Sequence, residues 1–145
     1  MNSKILIGLI IGIVLVSGCI KPGEEPSTPK LSYSISGCDV QRTTKSVETK
    51  AYGNIAITSF DDFISIKHDL SYVCCADIKV EWDIKGDVIN VREINEGDVC
   101  RCICEYKVNA EIGPLDSGRY TVKVYGVGYR DIEPDLLAEE EVGLN

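Results

Sequence analysis

The chain has 145 residues, 44% of them hydrophobic and 26% charged, which excludes two ordinary domains as well as an intrinsically disordered chain. Its net charge is −8, and since Lys4 is the one charged residue among the first eighteen, the remainder carries −9. An acidic surface repels phosphate backbones, which argues against nucleic acid as a partner.

The elements begin with a short leader, Asn2-Ser3-Lys4, and an unbroken apolar run from Ile5 to Val16. Twelve helical residues span about 18 Å, well short of a hydrocarbon core of about 30 Å. The run therefore reads as the apolar segment of a signal helix rather than a permanent span. Val16-Ser17-Gly18-Cys19 follows: an aliphatic residue and two small ones before a thiol that can accept lipid. These four residues resemble the lipobox of bacterial and archaeal lipoproteins. The resemblance implies a signal peptide over residues 1–18, removed in the mature protein. It also implies a diacylglyceryl group on Cys19, localisation on the extracytoplasmic face of the cell membrane, and attachment of the chain to that membrane by lipid. The alternative is an uncleaved signal anchor.

Ile20 to Lys30 holds three prolines, a glycine, a serine and a threonine, so residues 19–30 read as a lipidated end and a semi-extended tether. From Leu31 onward alternation with a period of two dominates, the mark of strands with one buried face. Strands are predicted over Leu31–Ser36, Val47–Tyr52, Asn54–Ser59, Phe63–Val73, Ile78–Ile84, Val88–Ile94, Cys100–Ile112 and Tyr120–Val124. Asp61-Asp62 and Gly86-Asp87 supply turn chemistry between neighbours. Residues 31–133 thus form the predicted β-sandwich domain. Residues 134–145 form an acidic tail, in which Pro134–Val142 reads as a short helix. Glu139-Glu140-Glu141 has a metal-site reading, with a solvated helix end or frayed tail as the simpler one.

Leu115-Asp116-Ser117-Gly118-Arg119-Tyr120-Thr121-Val122 resembles the corner between the fifth and sixth strands of immunoglobulin-like domains. There an inward tyrosine bonds its hydroxyl back to upstream backbone. Val122 stands where that family has a core cysteine, and Trp82 lies on an earlier strand, loosely as the family's core tryptophan does. The resemblance implies an all-β, immunoglobulin-like antiparallel sandwich but not the family's own disulfide. A fainter likeness joins Cys102-Ile103-Cys104-Glu105-Tyr106 and Leu115 through Tyr120 to lipoprotein domains without an assigned activity.

Besides Cys19 there are six cysteines: Cys38, Cys74, Cys75, Cys100, Cys102 and Cys104. An even number in an exported chain points to disulfides. On a regular strand, residues i and i+2 lie about 6.5–7 Å apart with parallel side chains, at or beyond disulfide reach. Cys100, Cys102 and Cys104 are therefore expected to pair with Cys38, Cys74 and Cys75, which leaves six pairings open. Adjacent Cys74 and Cys75 call for a bulge or a strand end. The competing reading is thiolate binding of Cu(I) or Zn(II), or thiol exchange, although the paired C-x-x-C knuckles of zinc sites are missing.

His68, the sole histidine, is expected at the surface or in a loop. It lacks a catalytic signature, because its neighbour Asp69 points to the opposite face. Gly126-Val127-Gly128 lacks the strand–helix context of a phosphate loop. No catalytic residue, metal site or cofactor is therefore assigned. The functional expectation is a lipid-anchored binding or structural module of the cell envelope. Its partner would be an envelope protein or a polysaccharide, with Tyr72, Tyr125 and Tyr129 available for contact. The alternative is an extracytoplasmic metal-handling or thiol-redox protein using the Cys-x-Cys-x-Cys strand.

Overall fold

The computed structural model describes residues 28–38, 52–130 and 132–145. Cys19, the signal segment, most of the tether, and the strand expected over Val47–Tyr52 apart from Tyr52 itself lie outside the described residues. The described residues form eight strands: β1 (Lys30–Ser36), β2 (Tyr52–Phe60), β3 (Phe63–Val73), β4 (Ile78–Lys85), β5 (Val88–Asn95), β6 (Ile103–Gly113), β7 (Gly118–Tyr129) and β8 (Leu136–Leu144). They make two four-stranded sheets, ordered β1-β6-β3-β2 and β4-β5-β7-β8. No helix among the described residues is long and apolar enough to cross a membrane.

Alternation builds the core as anticipated. One sheet contributes Ile64, Ile66 and Leu70 from β3 and Tyr106, Val108, Ala110 and Ile112 from β6, all buried. The other contributes Ile78, Val80, Ile89, Val91, Val122 and Val124, likewise buried. Burying each such side chain stabilises the fold by about 1.5–3 kcal/mol relative to exposure. The described residues form an all-β, disulfide-stapled sandwich.

Two departures from the sequence reading are instructive. Five of the six ladders among the described residues are antiparallel, but β5 and β7 run parallel, with Ile89 opposite Val122 and Val91 opposite Val124. Between them the chain crosses to the other sheet as β6 and returns, so two strands of one sheet enter from the same end.

The second departure is the tail. Leu136–Leu144 is a strand, not a helix, and pairs antiparallel with β7. Leucine, alanine and glutamate favour a helix when isolated, but tertiary context overrides so weak a preference. As a strand, the segment buries Val142 and Leu144 and covers the edge of β7. Its acidic run then meets basic partners on β7: Lys123 lies 3.3 Å from Glu139 and Arg119 lies 3.0 Å from Glu141. The tail belongs to the domain.

The corner behaves as the resemblance implies. Tyr120 donates its hydroxyl to the Asp116 carbonyl at 3.0 Å, while its ring packs against the core. Trp82 is also half-buried against the core, on β4, an outermost strand of its sheet. Asp61, at φ 50°, turns β2 into β3.

Candidate functional site

The end of the sandwich where β3 stops and β6 starts collects the chemistry. β3 ends at Val73, and Cys74 and Cys75 form the turn that follows. That strand end lets adjacent cysteines bridge different partners. β6 begins at Ile103, so Cys100 and Cys102 precede it and only Cys104 lies on it. The strand predicted from Cys100 is thus three residues shorter at its start. The β3–β6 ladder continues one step further through the Cys74 N–H, which donates to the Cys102 carbonyl at 3.1 Å.

Three bridges result: Cys38–Cys104, Cys74–Cys102 and Cys75–Cys100, with Cα separations of 5.0, 5.5 and 5.9 Å. Each joins one of Cys38, Cys74 and Cys75 to one of Cys100, Cys102 and Cys104, as strand geometry requires, and one of the six open pairings is realised. The bridges run along the end of a single sheet, tying the segments after β1 and β3 to β6 and the segment before it. In this they differ from the inter-sheet bond of immunoglobulin domains. Accessibility is graded: Cys104 is buried, Cys38, Cys74 and Cys100 are half-buried, and Cys75 and Cys102 are exposed.

The sulfurs also gather across the bridges. Those of Cys38, Cys74 and Cys104 lie within 4.8 Å of one another, as do those of Cys75, Cys100 and Cys102. Fully reduced, each trio offers three soft thiolates, a donor set suited to Cu(I). Oxidised, every one of these sulfurs is committed to a bridge.

A polar frame supports this end. The buried Asn95 accepts hydrogen bonds at Oδ1 from the Asp77 N–H (3.0 Å) and the Gly97 N–H (2.9 Å), and its Nδ2 donates to the Asp98 carbonyl at 3.2 Å. The Asp98 N–H donates to the Cys75 carbonyl at 3.2 Å. Gly97 is required here, since a Cβ would lie 2.7 Å from the Cys75 carbonyl oxygen and from the Asp77 nitrogen. Tyr106 donates its hydroxyl to the Val73 carbonyl at 2.9 Å. Burial raises the Tyr106 phenol above its ordinary range, partly offset by a backbone hydrogen bond from Ala76. Burial likewise raises Tyr72, with a hydrogen bond from Asn95 opposing the shift and Tyr129 adding to it.

His68 corrects the surface expectation. It is 1% exposed, on the inner face of β3, and its Nδ1 meets the buried carboxylate of Glu93 on β5. The pair spans the two sheets. Nε2 of His68 has no hydrogen-bond partner, and at this depth no substrate reaches it from solvent. Asp69, on the opposite face, pairs with Lys107 at 3.2 Å. Glu93 and Asn95 were overlooked in the sequence, although both continue the inner stripe of Ile89 and Val91 with polar residues.

Arg92 on β5 and Gly128 on β7, with Arg130 and Pro134 beyond the end of β7, line a shallow groove at the same end. Arg92 is ion-paired to Asp83 at 2.9 Å. Asn90, Arg92 and Lys85 hold the Asp83 carboxyl below the usual range. The Arg130 guanidinium stacks over Tyr129, 4.8 Å from the ring centre. Tyr125 is half-buried, and Tyr72 packs against the core. Of the three tyrosines considered for contacts, Tyr125 is the register partner of Arg92 and Tyr129 carries the Arg130 guanidinium, so both adjoin residues of this groove.

Comparison with protein-family models, curated proteins and solved structures finds no match to the chain.

Proposed function

We propose that this protein is an exported lipoprotein, held to the outer face of the cell membrane by a diacylglyceryl group on Cys19. Its sandwich serves as a binding or structural module of the envelope. The observation that carries the reading is Val16-Ser17-Gly18-Cys19 at the end of the apolar run, and the polarity of β1 agrees with it. Its first residue, Lys30, pairs with Gly113 at one end of the sheet, while Cys38, just beyond its last residue, is bridged at the other. A tether arriving from residue 19 meets the domain at the end away from the cysteines. The stapled turns and the Arg92–Arg130 groove are then presented outward, toward an envelope protein or a polysaccharide. Three disulfides suit an oxidising compartment, and two acyl chains hold far more firmly than one.

Fractionation and mass spectrometry of the native protein test this. The expected result is membrane-bound protein whose mature chain begins at an acylated Cys19, with Cys19→Ala released or left unprocessed. An unacylated, soluble wild-type chain carrying six reduced thiols overturns it.

A further inference from the structure

We propose that the three disulfides form a thiol–disulfide exchange relay, along which two electrons delivered by an external dithiol at the exposed Cys75–Cys100 bridge reach the buried Cys38–Cys104 bridge. This goes beyond the anchored-module reading and is independent of it, needing only that the cysteines be oxidised.

The placement of the sulfurs is the basis. Besides its own bridge, Cys100 Sγ lies 3.4 Å from Cys102 Sγ, a member of the next bridge. Cys74, the other half of that bridge, has its sulfur within 4.8 Å of both sulfurs of the innermost one. Each bridge thus has a sulfur of its neighbour within reach of a small side-chain movement. The series runs from exposed Cys75 to buried Cys104. Three staples placed for stability alone gain nothing from adjacency, whereas exchange requires it, because a thiolate must reach the sulfur it attacks.

The steps balance. A thiolate of the dithiol attacks Cys75 Sγ, and Cys100 leaves as a thiolate. The second thiol of the dithiol resolves the mixed disulfide, closing the oxidised reagent and leaving Cys75 as a thiol. Cys100 then attacks Cys102: the Cys100–Cys102 bond forms, the Cys102–Cys74 bond breaks, and Cys74 departs as a thiolate. Cys74 attacks Cys104, and Cys38 is expelled and takes a proton from water. The dithiol has lost two electrons, and the protein holds two thiols, at Cys75 and Cys38. The bar to i, i+2 bridging applies to a regular strand, and Cys100 and Cys102 both precede β6.

The test is partial reduction of the native, full-length protein with one equivalent of dithiothreitol, trapping with N-ethylmaleimide, and peptide mapping. Trypsin cuts after Arg101 and so separates Cys100 from Cys102. The expected map carries label on Cys75 and Cys38, with Cys100 newly linked to Cys102. Label confined to Cys75 and Cys100, or six thiols appearing together, overturns the proposal. In a second arm, Cys74→Ser/Cys102→Ser removes the middle bridge. A relay then slows reduction of Cys38–Cys104 by about tenfold or more, whereas a structural staple lost from the fold would leave it unchanged or faster. Either of the latter results also overturns the proposal, and if this variant does not fold, the wild-type map decides. The outcome does not depend on acylation of Cys19, so failure of the relay and failure of the anchor are separable.

Discussion

His68 Nδ1 sits between the two carboxylate oxygens of Glu93, 2.8 Å from one and 3.0 Å from the other, and so joins the two sheets through their shared core. Burying such a pair is costly, and removing one partner costs more than replacing both. Glu93→Leu is expected to destabilise the domain by about 3 kcal/mol or more, while His68→Leu/Glu93→Leu returns to within about 1 kcal/mol of wild type. Urea unfolding of the two single variants and the double variant measures the cycle. Additive losses would show that the pair is not coupled.

The bridges differ in the loops they close. Cys38–Cys104 spans 66 residues and Cys75–Cys100 spans 25. Loop-closure entropy assigns them about 4.4 and about 3.5 kcal/mol. Serine replacement of the first pair should therefore lower the denaturant midpoint more than replacement of the second, a ranking that chemical unfolding of the two double variants can read.

Tyr120→Phe keeps the corner ring and deletes its hydroxyl, which donates to the Asp116 carbonyl at a solvent-exposed position. The expected loss is about 0.5–1 kcal/mol. The urea midpoint should fall with the slope of unfolding unchanged, since the same surface is exposed.

Alkali should weaken the fold from about pH 10, the ordinary tyrosine range. Burial raises both Tyr72 and Tyr106 in the folded protein. Above the unfolded value the unfolded chain loses protons that the native state keeps, so stability falls as pH rises toward the folded values. Below that window their contribution is fully present. Unfolding midpoints across pH 9 to 11 check the sign, and Tyr106→Phe should flatten the decline.

Alternation made most of the sheet residues legible before any coordinates. The strand predicted over Phe63–Val73 matches β3 at both ends, because Ile64, Ile66 and Leu70 mark a buried stripe on one strand. The same stripe runs through His68, so the residue's place in the alternation, and not its polar chemistry, decides its burial. Glu93 could not be assigned as its partner, since a local pattern does not say which strand faces which across a core. Tail residues Leu136–Leu144 failed for a related reason: what makes them a strand is the open edge of β7, 11 or more residues upstream. At the cysteines, spacing separated the two groups, while the actual pairing depended on where β3 stops and where β6 starts.

The linkage of Cys38, Cys74 and Cys75 exclusively to Cys100, Cys102 and Cys104 has a temporal side. A polypeptide threaded through a membrane amino end first delivers its three earlier sulfurs while every native mate is still behind the bilayer. β1 waits likewise for β6. On the proposed route of export, oxidation before Cys100 emerges would catch only wrong couples, so correct closure begins once the first hundred or so residues have come through.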